Sequence, residues 1–310
     1  MGKGAQGKKI TYQTKRQKEY LQSYEKMDKV SFLQKAVSES LEKLSLPEAS
    51  WTLPELKATG RKFTYEFAGK TEEKTPYNNF LTGYNTLHSL ISLYRFLAEL
   101  AWCMESNTNK CKEYLYLAAY CQKCICQWPD HDENHNSIGL VSLSRLDLFY
   151  MALIADANTE FIKELGELLS IPERTWNPFL TYRGNAVIRL SMGDKERAVY
   201  YAEKMLKEDS HPVWLNYAHC IEAIVSGDAD TVNDTLCAIV SSWRRTSGPP
   251  RLLVIHAIGL AKLAVKNGLQ VTIDTMDCPQ ALIQPAQMDY SRLELPRPKY
   301  GFPWKKEAKE

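Results

Sequence analysis

The sequence predicts an all-α protein of antiparallel helix pairs in an α-solenoid-like, helical-repeat array, with a short extended hairpin or arm near residues 62–70 and a Pro-rich C-terminal tail. Three observations carry that reading. Between Ser137 and Arg245 an apolar helical run, a tight turn and a second helical run recur, with turns at Ile154-Ala155-Asp156, Met192-Gly193-Asp194 and Ser226-Gly227-Asp228. The three Asp residues stand 38 and 34 positions apart, within the period of helix-pair repeats. Each turn also has a mechanism: Gly193 and Gly227 can take the left-handed conformation that ends a helix, and the Asp that follows can cap the next one.

Taken in order, residues 1–14 are Gly- and Lys-rich and read as a disordered basic terminus. Gly2 to Lys9 nearly spells a phosphate-binding loop, but Lys9 stands where Ser or Thr is required and no buried strand precedes it. From Lys15 to Leu44, Tyr20, Tyr24, Met27, Phe32, Leu33, Val37 and Leu41 recur at helical spacing, interrupted near Lys29 to Ser31, so one long or two shorter helices fit. Lys62 to Phe67 alternates and precedes Gly69-Lys70, which gives the hairpin or arm. Asn79 to Met104 carries a broad apolar face, and Lys110 to Trp128 is a second helix closed by Pro129. Past the repeated pairs, Leu252 to Ala264 is a buried helix ending near Asn267-Gly268, followed by an extended piece from Leu269 to Asp274. Pro285, Pro296, Pro298 and Pro303 make 286–310 a surface tail, and 15–285 reads as a single helical domain.

Composition narrows the function. With 44% hydrophobic and 25% charged residues the chain is of the soluble globular class, and no apolar run is long enough to span a bilayer. The start lacks a signal-peptide core, which predicts a cytoplasmic protein with free thiols at its eight cysteines. Residues 1–30 hold eight Lys or Arg against three acids and 292–310 hold six against three, so, by difference from a net +2, the body is mildly acidic between basic ends.

Chemistry finds little footing. Cys121-x2-Cys124-x-Cys126 with His131 and His135 is the most zinc-like cluster, but Cys126 is turned away from the other two on a helix and no second Cys-x-x-Cys closes a tetrahedral site. The loop acids Asp130, Asp132 and Glu133 lack the Gly of an EF-hand series. His88, His219 and His256 lie on apolar helical faces and read as core or groove residues, not bases. Neither catalytic residues nor a cofactor are expected. Binding is better served. Trp128 beside Asp130, Asp132 and Glu133 combines an aromatic anchor with acids able to steer a basic surface. Trp176, Tyr182, Tyr200, Tyr201, Trp214 and Tyr217 fall in successive helices and can line a concave face or fill the spaces between helices.

The order of elements resembles the immunity protein 49 family over about residues 15–285. The similar features are an N-terminal helix and arm before a long helix, the helix from Leu146 to Ile154, and the run from His256 through Gly268-Leu269 into Val271-Thr272-Ile273-Asp274. The resemblance implies an all-helical, non-enzymatic protein that neutralises a cognate toxin in bacterial polymorphic and contact-dependent toxin systems. It implies a protein partner, neither nucleic acid nor membrane, and brings no catalytic residues. The alternative function is a tetratricopeptide-like scaffold or regulator that holds a peptide or protein in a concave groove.

Overall fold

The computed structural model describes residues 15–26, 28–44, 63–67, 70–74, 76–127, 138–170, 178–207, 212–245 and 252–296. They form an all-α fold with one small hairpin. Helices α1 (Lys15–Lys26) and α2 (Lys29–Lys43) are separated by Asp28, which takes a left-handed backbone at φ 44°. Strands β1 (Phe63–Phe67) and β2 (Lys70–Lys74) pair antiparallel, Phe63 opposite Lys74 and Phe67 opposite Lys70. Then follow α3 (Pro76–Cys103), α4 (Thr108–Cys126), α5 (Ile138–Ile154), α6 (Thr159–Leu169), α7 (Pro178–Ser191), α8 (Lys195–Lys207), α9 (Pro212–Ser226), α10 (Ala229–Arg245), α11 (Ile255–Lys266) and the single turn α12 (Gln280–Ile283). Three helices open on proline, whose absent N–H would have no helical partner there and whose φ already suits a helix.

The tight turns divide into two kinds. At Gly193 (φ 82°) and Gly227 (φ 85°) the glycine is the left-handed residue, and the next N–H reaches back to close the helix, Asp194 to the Arg189 carbonyl and Asp228 to that of Ala223, both at 2.9 Å. Asp194 and Asp228 then cap α8 and α10, accepting from the N–H groups of Arg197 and Thr231. The first turn is displaced by one residue. Asp156 itself is left-handed (φ 54°), Ala157 makes the closing bond to Ala152, and Asn158 caps α6 by accepting from Phe161 N at 2.8 Å. The expectation that Asp156 caps a helix is therefore corrected: Asp tolerates the left-handed well, and its side chain is released for another task.

The helical hairpins α7–α8 and α9–α10 follow one another, with α8 also against α9. The next helix does not extend this series. Every residue of α11 from Ile255 to Ala264 is buried, and α11 packs on α5, α7, α9, α10 and α12. Such an all-round apolar helix needs neighbours on every side. Its closest approach is to α5 at Gly259, where a Cβ would overlap the Tyr150 ring, lying 2.8 Å from Cγ. Two basic side chains interrupt the apolar surface of α11, His256 and Lys262, and each meets an acid supplied by α5 or the turn after it. The last described segment runs over the surface but is held at several points: Trp102 donates to the Met276 carbonyl at 2.8 Å, Arg244 forks onto Asp277 with two 2.7 Å bonds, and the Tyr290 ring stacks on Tyr116 at 3.9 Å.

Candidate functional site

The polar centre between α5, α7 and α11 is built from residues that the apolar patterning of their helices should exclude. On α5, Asp147 sits between Leu146 and Leu148, which are buried. Its carboxylate takes Arg95 Nη1 from α3 at 3.2 Å and lies against His256 Nε2 from α11, though the imidazole contact lacks hydrogen-bond alignment. Arg95 also reaches Glu99 at 3.6 Å, one helical turn on. Burial pushes the Asp147 carboxyl up, but His256, Arg95 and Arg183 outweigh it and hold it below the ordinary carboxylate range. Burial pushes the His256 imidazole below its ordinary value, Arg183 and Arg95 adding to the effect against the pull of Asp147.

Arg183 of α7 is the largest fully buried side chain of the described residues. Its guanidinium lies 5.0 Å from the Trp214 ring centroid and 5.2 Å from that of Tyr217, both on α9, so two aromatic faces carry the cation. The two rings sit three residues apart on one helix face, which is why they meet. Tyr217 also accepts from Trp243 Nε1 of α10 at 2.9 Å, while Tyr150 and Tyr217 both stand edge-on to the His256 ring. Among the described residues, Arg183 Nε, Arg183 Nη1 and Tyr150 Oη have no hydrogen-bond partner.

At the far end of the α5–α11 contact, Asp156 faces two ammonium groups. Lys112 Nζ is 2.7 Å from Oδ2 and Lys262 Nζ 2.5 Å from Oδ1, and the Ala286 N–H adds a bond to Oδ2 at 3.2 Å. Both lysines also donate to the Gln284 carbonyl, at 3.4 and 3.3 Å, and Tyr290 Oη donates to the Ala155 carbonyl. Burial pushes Lys262 down to about 8, against the pull of Asp156.

Of the residues singled out by sequence, Trp128, Asp130, Asp132, Glu133, Trp176, His131 and His135 lie outside the described residues. Tyr182 is half-buried on α7, stacks on Tyr201 and lies beneath Lys204 Nζ at 5.2 Å. Trp214 is half-buried against Arg183, but Tyr217 is fully buried, so as packed it supports a surface and does not form one. His256 is a core residue, whereas His88 and His219 are exposed, His219 facing Glu222 at 3.5 Å. Cys121 and Cys124 are buried, and burial raises the Cys121 thiol well above its ordinary value; Cys126 Sγ accepts from Gln122 at 3.1 Å. Among the described residues no group of three His, Cys, Asp or Glu could hold a metal ion, and no helix is long and apolar enough to cross a membrane.

Asp147, Arg183 and Lys112 escaped sequence reasoning, although a signal existed. A charge within an apolar helical run must be paired when buried, and Asp147 within Leu146–Ile154 is such a charge. Compared with known proteins, the chain matches no family model, no curated protein and no solved structure.

Proposed function

We propose that this chain is an immunity protein, a non-enzymatic binder that occupies and neutralises a cognate bacterial toxin. The observation that carries the reading is the aromatic set on α7, α8 and α9. Tyr200 is 44% exposed, edge-on to Tyr201, with Lys204 Nζ 4.6 Å above its ring. Tyr182, beneath the same Lys204 Nζ and stacked on Tyr201, and Trp214, stiffened by Arg183, are half-buried. Aromatic side chains held rigid by their surroundings lose little entropy on binding, and such anchors dominate tight interfaces. The family resemblance of the sequence supports the same conclusion.

The test is co-expression with the product of each reading frame adjacent to this one, one of which the proposal requires to be a toxin. The pair should restore growth and co-elute from gel filtration, and truncation of Tyr182, Tyr200 and Trp214 to Ala should each weaken the complex, with at least one loss above about 2 kcal/mol. Absence of both rescue and a stable complex would overturn the reading. The helical hairpins α7–α8 and α9–α10 favour a second reading, a scaffold that holds a peptide in a groove. That reading requires micromolar affinity for a short segment, where neutralisation requires a far tighter complex.

A further inference from the structure

We propose that the Arg183 centre is a binding site for a carboxylate, held by Arg183 and Tyr150 and walled by Trp214, Tyr217 and Trp243. The argument starts from the unpartnered atoms, Arg183 Nε, Arg183 Nη1 and Tyr150 Oη. Each can donate, and no exposure to water compensates them, because Arg183 and Tyr150 are both fully buried. A buried donor without an acceptor is costly, and a buried cation more so. What this set takes is an acceptor, and for a guanidinium the strongest is an anionic oxygen, since charge-assisted bonds are about twice as strong as neutral ones.

The neighbours select the charge of that acceptor. Asp147 and Glu99 are both engaged by Arg95, and Asp147 also lies within the field of Arg183. Arg95 and Arg183 already balance these two carboxylates, so a singly charged acceptor on the open Arg183 and Tyr150 donors adds the least repulsion, whereas a phosphate dianion would bring twice the charge against the same two carboxylates. His256, between Asp147 and the rings of Tyr150, Tyr217 and Trp243, closes that side with a further ring. Trp214 and Trp243 are the partly buried members of the aromatic shell and mark the side nearest solvent. The carboxylate has two possible sources, a small free acid or an Asp or Glu side chain of a protein partner. The inference stands apart from the toxin reading, and its probes contain no toxin.

The test titrates the full chain with sodium acetate, with N-acetylglutamate α-amide and with inorganic phosphate, against sodium chloride at equal ionic strength, reading Tm and tryptophan fluorescence. Expected is a saturable rise in Tm and a fluorescence change from Trp214 and Trp243 with a carboxylate, both lost in Arg183→Met. Response to acetate alone identifies a small free acid, and response to the amide identifies a side chain of a partner. No saturable response to either carboxylate, an equal response to chloride, tighter saturation by phosphate, or a response that persists in Arg183→Met overturns the proposal. If Arg183→Met does not fold, Arg183→Lys replaces it: losing the planar donor set should weaken saturation at least about tenfold, and unchanged saturation overturns the proposal.

Discussion

At one end of the α5–α11 contact Asp156 has both carboxylate oxygens engaged, by Lys112, Lys262 and the Ala286 N–H. At the other end Asp147 is similarly placed between Arg95 and His256, but the nearby Arg183 leaves two of its nitrogens without partners. Both ends lie within one core, joined by the same two helices. The difference separates two reasons for burying charge. A closed cluster fixes how segments meet; a centre with surplus donors is poorly explained by stability alone, because an apolar residue of similar volume would serve a core better.

The largest effect should come from breaking the closed end. Asp156→Asn preserves the left-handed turn, which Asn tolerates, while leaving Lys112 and Lys262 buried without their counter-charge. We expect a loss of about 3–5 kcal/mol in urea unfolding, the cost of removing one partner from a buried ion pair. Arg183→Met should cost far less. With no ligand present it is expected to change stability by less than about 1.5 kcal/mol, because a buried cation with open donors is removed while Asp147 keeps Arg95 as its counter-charge. A loss as large as that of Asp156→Asn would erase the distinction between the two ends. Gly259→Ala probes the crossing between them: its Cβ would press on the Tyr150 ring, an overpacking cost of about 1–3 kcal/mol in thermal unfolding.

The smallest effects are on pH dependence, and the two ends should respond at opposite extremes. Lys262 has a folded value near 8, below its ordinary one of 10.5, so above pH 8 the unfolded chain holds a proton that the folded chain releases. Stability therefore gains from this group as pH rises through that window, by at most about 1.4 kcal/mol per pH unit, and Lys262→Met should remove the gain. His256 is also lowered, from 6.5, so its contribution is full above that value and is lost as pH falls below it. Comparing His256→Phe with the wild type in acid unfolding curves isolates that loss. An unchanged acid slope would show that folding does not lower the imidazole.

Much of the helical order could be read from the chain because it rests on local causes. Gly193, Gly227 and Gly268 end helices where the periodic pattern breaks, and each has positive φ. Asp156 misled for an equally local reason: Ala155-Asp156 resembles Gly-Asp, but without a glycine the Asp takes the left-handed position itself. Trp214 and Tyr217 could be grouped by their three-residue spacing, yet spacing alone does not reveal which side of the helix is covered, and Tyr217 is inside. Arg183 was the least legible. Its place depends on α5, α9 and α11 converging on α7, a fact of tertiary packing that no window around Tyr182-Arg183-Gly184 contains.

The arrangement around Asp156 sets an order of events during synthesis. Lys112 and Asp156 are made before the groups that complete their contacts: the Gln284 carbonyl that Lys112 also binds comes 172 residues after it, and Tyr290 comes 135 after Ala155. Until then the nascent chain carries Lys112 with only part of its final partners, so the earlier helices form around a contact they cannot yet complete. Closure over so long a separation is slow, because the intervening loop must be ordered before the contact rewards it. The native core thus becomes complete only once residues 284–290 have been made, and a product truncated after α11 would lack the segment that bonds Lys112, Lys262, Asp156 and Ala155.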